Sequence, residues 1–138
     1  MVAYSFKAQF AGPIVALEKR QTVRGNRARH ARPGEPIQLY TAMRTKHCRK
    51  LLDCDPICRD VRPIQIVVDR GWPLLIKSIE IEGVSLGLFD MDAFAYQDGF
   101  RAEKDGESAL LAMGAFWLRE HGEGGFDGVV IRWEPTLG

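Results

Sequence analysis

The chain has little of almost everything that would mark its role at first sight. It holds 3 cysteines in 138 residues, an odd number confined to Cys48, Cys54 and Cys58, which makes a poor disulfide framework and suits a reducing compartment. No apolar run approaches the ~18 residues of a membrane span, and residues 1–7 lack the apolar stretch of a secretory signal. The expectation is a cytoplasmic protein with no membrane partner. Internal repeats and low-complexity tracts are missing too. Charge of one sign is scarce overall, 19 basic against 18 acidic residues for a net +1, so no bulk field draws a polyanion.

What is present is an ordinary globular composition, 46% hydrophobic and 27% charged. A chain of this length buries roughly two-thirds of its unfolded surface, enough for one core, so residues 1–138 read as a single domain. The balanced charge hides a split. Residues 19–62 hold 12 Lys/Arg against 4 Asp/Glu, and the rest of the chain holds 7 against 14. Within one domain such asymmetry describes a face.

Hydrophobic periodicity outlines the elements. Residues 3–7 alternate weakly as a first strand. Phe10, Ile14 and Leu17 share a helical face, with Pro13 tolerated near the first turn. Residues 20–24 are extended, and 32–36 (Arg-Pro-Gly-Glu-Pro) form a turn before a strand at 37–41. Residues 43–60 read as a strand extension and an irregular excursion. Strands follow at 61–68 and 75–81, then a helix at 88–97 and a turn at Asp98-Gly99-Phe100. A second helix runs from 107 to 121, with Leu110, Met113, Trp117 and Phe116 at helical spacing and Gly122 as its stop. A last strand covers 129–133. About six strands with two or three helices predict a small mixed α+β barrel.

The stretch Lys19-Arg20-Gln21-Thr22-Val23-Arg24 carries the chemistry. In an extended segment Thr22 and Arg24 face the same way, and Lys19, in the preceding turn, can curl onto that face. An ammonium, a hydroxyl and a guanidinium then converge, a set suited to an anion or a polar heterocycle. A desolvated Lys can also act as a base that makes Thr22 a nucleophile. The alternative reading is an edge strand with solvated charges. Asp98 has two readings as well, a turn residue capping backbone N–H groups or an acid in the cleft.

Lys19-x-x-Thr22-x-Arg24 after a short amphipathic helix resembles the K-x-x-T-x-R motif of ASCH domains, members of the PUA-like superfamily. Residues 33–40 (Pro-Gly-Glu-Pro-Ile-Gln-Leu-Tyr), then 94–100 (Phe-Ala-Tyr-Gln-Asp-Gly-Phe), then Phe116-Trp117 and the closing strand to Trp133 are similar to later steps of that family, in order. The likeness covers roughly residues 4–134. It implies a PUA-like β-barrel of five or six strands with helices at its rims, and a cleft beside the motif strand that holds RNA or a modified nucleobase. Some members remove acetyl from N(4)-acetylcytidine with a Lys, a Thr and a Glu; others are described as RNA-binding or as ribonucleases. By position the Lys is Lys19, the Thr is Thr22 and the acid is Asp98, one methylene shorter than Glu. The family motif usually reads G-x-K, where this chain has Leu17-Glu18-Lys19.

Arg20, Arg24, Arg27, Arg29 and Arg32, extended by Arg44 and Lys46 with Arg49 and Lys50 alongside, are the expected phosphate contacts, since Lys and Arg give sequence-independent, salt-sensitive affinity for nucleic acid. A solvated basic loop is the alternative. Tyr40, Trp72 and Tyr96 are the candidates for base stacking, while Trp117 and Trp133 fill the core. His47, Cys48, Cys54 and Cys58 lack the paired spacing of a structural zinc site, so neither metal nor other cofactor is expected, and the cysteines read as small buried hydrophobes. His30 reads as a loop residue and His121 as a helix C-terminal one. Three functions remain open: a module binding RNA or a small nucleoside or nucleotide, as a monomer or weak dimer; an amidohydrolase of N(4)-acylated cytidine, or a ribonuclease; and a protein-interaction module of a phage or mobile element.

Overall fold

Alternation decides the strands. Ile64, Ile66 and Val68 are buried while Gln65 and Val67 between them are only partly so, and this pleat anchors the longest strand to the core. The computed structural model describes residues 2–136. In chain order these form β1 (Val2–Phe6), α1 (Ala11–Val15, entered by a 3-10 turn), β2 (Gln21–Gly25), β3 (Ile37–Thr41), β4 (Arg49–Lys50) and β5 (Ile57–Val68). Then follow β6 (Ile76–Ile81), β7 (Val84–Ser85), α2 (Leu88–Gln97), α3 (Ala109–His121) and β8 (Gly124–Glu134).

The fold is α+β. Its strands pair as two sheets, with order β1-β3-β4 and β2-β8-β5-β6-β7. Eight strands form where about six are expected, and among the described residues no ladder closes either sheet into a barrel. The two extra strands, β4 and β7, have two residues each, too short to show a period. The sheets meet at an isolated antiparallel bridge between Pro36 and Ile57. β1 and β3 run parallel, joined by the crossover through α1 and β2, whereas β8 is antiparallel to both β2 and β5. The buried apolar residues form one continuous cluster, with Tyr4, Ile14, Ile37, Leu39, Ile66, Leu110, Met113 and Trp133 among its largest members.

Local chemistry fixes the ends that matter. The Ser108 hydroxyl accepts from the Leu111 N–H at 3.1 Å, capping α3, and Asp92 of α2 accepts from the Leu110 N–H at 3.0 Å, tying the two helices together. Gly122 ends α3 with φ 77°. After α1 the Pro13 carbonyl accepts from the N–H groups of both Glu18 and Lys19. That loop places Leu17 at φ 63°, a left-handed conformation that favours glycine. Leu17 has a β-carbon, so a bulkier residue than glycine bears the strain of this turn.

No helix among the described residues is long and apolar enough to cross a membrane.

Candidate functional site

Four polar side chains are buried where β2 passes the end of α2. Lys19 is 2% exposed, Gln21 3%, Thr22 4% and Asp98 5%, in a class of residues normally left in water. Asp98 sits at the C-terminal end of α2, and Gly99 after it takes φ 99°. A β-carbon at Gly99 would lie 2.7 Å from Lys19 Cδ and 3.0 Å from the Phe10 ring, so only glycine lets the Lys19 side chain run beneath this turn. Gly99→Ala is therefore expected to destabilise the fold by about 1–3 kcal/mol, measured by chemical denaturation, through combined clash and left-handed backbone. A second close approach serves Arg24. A β-carbon at Gly128 of β8 would stand 2.2 Å from the Arg24 carbonyl oxygen.

The cluster is bonded together. Lys19 Nζ donates to the Asp98 carbonyl and lies 3.6 Å from Asp98 Oδ1. Gln21 Nε2 donates to the same Oδ1 at 3.2 Å. Arg24 Nε donates to Thr22 Oγ at 3.0 Å, and its Nη2 donates to the Ser5 carbonyl at 2.7 Å. Aromatic faces line the cations: Lys19 Nζ is 4.9 Å from the centre of Phe10, and the Arg24 guanidinium is 4.8 Å from that of Phe6. Burial pushes the Lys19 ammonium below its usual range; Asp98 opposes the fall, and Arg24 adds to it. Burial pushes the Asp98 carboxyl above its usual range, against the pull of Lys19, Gln21 and Arg24.

Above these groups opens a cleft of about 270 Å³, lined by Lys19, Thr22, Arg24 and Asp98 on the polar side. Phe10, Phe100, Phe116, Trp117, His121 and Phe126 supply most of its apolar wall. Phe10, Phe100 and Phe116 meet edge to face at 5.3–5.6 Å, and Trp117 packs on His121 at 4.4 Å. Lys7 lines the cleft as well and pairs with Glu120 at 3.4 Å.

The structure thus brings Lys19, Thr22, Arg24 and Asp98 together, and it separates others from them. Arg20 donates to the Leu17 carbonyl, pairs with Glu134 at 3.8 Å and lines a second pocket, away from the cleft. None of Tyr40, Trp72 and Tyr96 lines the cleft. Tyr40 donates to Gln38 along β3, Trp72 lies in the β5–β6 loop under Lys77, and Tyr96 is covered by the Arg101 guanidinium 3.6 Å from its ring. Sequence reasoning missed the phenylalanines, whose spacing reads as plain core, and His121 and Gln21, which no motif marks.

Of the basic residues, Arg29 pairs with Glu35 at 2.5 Å and Lys50 with Asp55 at 2.8 Å. Arg27 lies over the Tyr4 ring at 4.6 Å. Among the described residues Arg27, Arg32, Arg44 and Lys46 are exposed and make no ion pair. His30 is stacked on Tyr4 and shares a 2.9 Å hydrogen bond with its hydroxyl, a tighter role than that of a plain loop residue. Of the cysteines only Cys58 is buried; Cys54 is half-buried and Cys48 exposed, which corrects their reading as buried hydrophobes. Neither the cysteines nor any other described residues form a group of three or more His, Cys, Asp or Glu that could hold a metal ion. No protein-family model, no curated protein and no solved structure matches this chain.

Proposed function

We propose that the cleft binds a single nucleobase or nucleoside and that the exposed arginines of the loop after β2 contact phosphate when the ligand is part of an RNA. One observation carries this reading: a floor of buried Lys19, Thr22 and Asp98 with half-buried Arg24 beneath aromatic walls, in about 270 Å³. Ligand pockets for drug-sized molecules run to roughly 300–1,000 Å³, so this cleft suits one base with its sugar. Aromatic faces take the flat sides of a base, and a carboxyl beside a guanidinium reads its polar edge. The resemblance to ASCH domains points the same way. Three free thiols, with Cys48 exposed, suit a cytoplasmic site of action.

Calorimetry with cytidine, uridine, adenosine and N(4)-acetylcytidine tests the reading, with saturable one-to-one binding of at least one of them expected. Binding of none would overturn it. The phosphate contacts are tested separately, by replacing Arg27, Arg29 and Arg32 together with Ala. Because Arg29 is already paired, we expect the slope of log affinity against log salt to flatten by about two units for any oligoribonucleotide, at roughly one unit per lost phosphate contact. An unchanged slope would remove this face from the interface.

A second reading is favoured by the shared burial of Lys19 and Asp98 in one cleft, where desolvation pushes the amine below and the carboxyl above their usual ranges. That is the pairing a base and an acid need to cleave an amide, and N(4)-acylcytidine is the substrate that the resemblance suggests.

A further inference from the structure

Gln21 belongs to neither the motif nor the cleft wall, yet it is nearly as buried as Lys19. Its side chain lies between the Asp98 carboxylate and the Arg132 guanidinium of β8. Nε2 is 3.2 Å from Asp98 Oδ1, and Oε1 is 3.5 Å from Arg132 Nε. The neighbours leave the amide one orientation, since an ionised carboxylate only accepts hydrogen bonds and a guanidinium only donates them. Gln21 and Arg132 also line a second pocket of about 240 Å³, distinct from the cleft that Asp98 lines, so the Gln21–Asp98 bond lies between the two. Lys19 and Gln21 both address Oδ1. Among the described residues no hydrogen bond reaches Oδ2, which is also not among the buried oxygens left without a partner.

We propose that Gln21 is the positioning residue of the cleft: its amide, oriented by Arg132, pins Oδ1 of Asp98 so that Oδ2 is the oxygen offered to the ligand. The inference rests on the nucleobase reading of the cleft and adds to it the atom that reads the base. Ionised, Oδ2 accepts from an exocyclic amine such as that of cytosine; protonated, it donates to a carbonyl or ring nitrogen. Which of the two applies depends on the groups facing Asp98. Those are Lys19 from the turn before β2, Gln21 and Arg24 from β2 and, at one remove, Arg101 beyond α2 through Lys19 and Arg132 from β8 through Gln21. The Gln21 donor favours the ionised form.

The test uses the full chain with Gln21→Leu, Gln21→Glu and Arg132→Met. Arg132 is one-fifth exposed and outside the cleft, so its replacement reaches Asp98 through Gln21 and keeps the test alive if the buried variants do not fold. The Asp98 carboxyl is titrated by carbon-13 NMR, and the pH profile of cytidine and N(4)-acetylcytidine binding is measured by calorimetry. We expect both midpoints to move up together, more in Gln21→Glu than in Gln21→Leu, with Arg132→Met moving the same way. Cytidine affinity near neutral pH should fall about tenfold in Gln21→Leu, the scale of one charge-assisted hydrogen bond. If wild type binds none of cytidine, uridine, adenosine and N(4)-acetylcytidine at any pH, the reading of the cleft has failed and the inference with it. If wild type binds and the folded variants keep its midpoints, the inference alone has failed.

Discussion

Replacing Lys19 by Met is expected to destabilise the protein by about 3–5 kcal/mol near neutral pH, the usual cost of removing one partner from a buried ion pair. The methionine fits the volume and loses little packing against Phe6 and Phe10, so the loss comes from Asp98, which is left in a desolvated site without its nearest cation. The pH dependence gives this account away. The Asp98 carboxyl is already held above its ordinary range by burial, and Lys19 is the largest opposing influence. Without Lys19 it rises further. A group whose folded-state pKa is raised contributes stability that is fully present below its unfolded value and is lost as pH rises through the folded one. The deficit of Lys19→Met should therefore shrink as pH falls from neutral toward the ordinary carboxyl range. Adding Asp98→Asn removes the stranded charge and keeps an acceptor for Gln21, so the double variant should regain most of the loss and show a flat difference from pH 5 to 8. Urea denaturation across that range measures all three proteins. A deficit that stays constant with pH in the single variant would mean that lost packing, and not the stranded carboxylate, is its cause.

The same pair shows how much of the site was legible in the sequence. Period-2 alternation places Thr22 and Arg24 on one side of β2, and both line the cleft. The strand at Ile37–Thr41 and the helix at Leu88–Gln97 carry clean patterns and form with the expected boundaries. Patterns fail where long-range pairing overrides them. Residues 57–60 look like loop, because Asp55-Pro56 and the charged Arg59 and Asp60 break any alternation. They extend β5 because Glu134, Trp133 and Arg132 of β8 pair with them across a bulge. Gly124-Gly125 lies outside the strand expected at 129–133, yet it is held against Val68 and Val67. The stacking candidates lie outside the cleft for a related reason. Aromaticity singles out Tyr40, Trp72 and Tyr96, whereas the cleft wall is made of phenylalanines with Trp117 and His121, which tertiary packing turns toward it. Gln21 left no trace at all, since an uncharged amide acquires its role only from Asp98 and Arg132, 77 and 111 residues away.

Loss of the Thr22 hydroxyl is expected to have the largest effect of any single change if the cleft hydrolyses an N(4)-acylcytidine. Thr22→Ala should reduce release of cytidine to the uncatalysed rate while leaving the fold and nucleoside affinity nearly unchanged, because it deletes a single oxygen from the floor of the cleft. Arg24 Nε already donates to that oxygen, so the hydroxyl's own proton is free to leave in another direction. In the step proposed, Thr22 Oγ forms a bond to the acyl carbon as its proton passes to a neutral Lys19 amine. The carbon–nitrogen bond then breaks as Asp98 gives its proton to the departing exocyclic nitrogen. Water cleaves the resulting threonine ester and releases the acid. Two ionisations control this sequence, an amine that must be neutral and a carboxyl that must be protonated, so the rate against pH should be bell-shaped, with both limbs belonging to the Lys19–Asp98 pair as a unit. Asp98→Asn cannot supply the proton; it should lower the rate by roughly 10²–10⁴-fold and remove one limb. Asp98→Glu restores the acid of the resembling enzymes and should keep both limbs. Equal background rates from wild type and Thr22→Ala would eliminate hydrolysis and leave recognition of the base as what this cleft does.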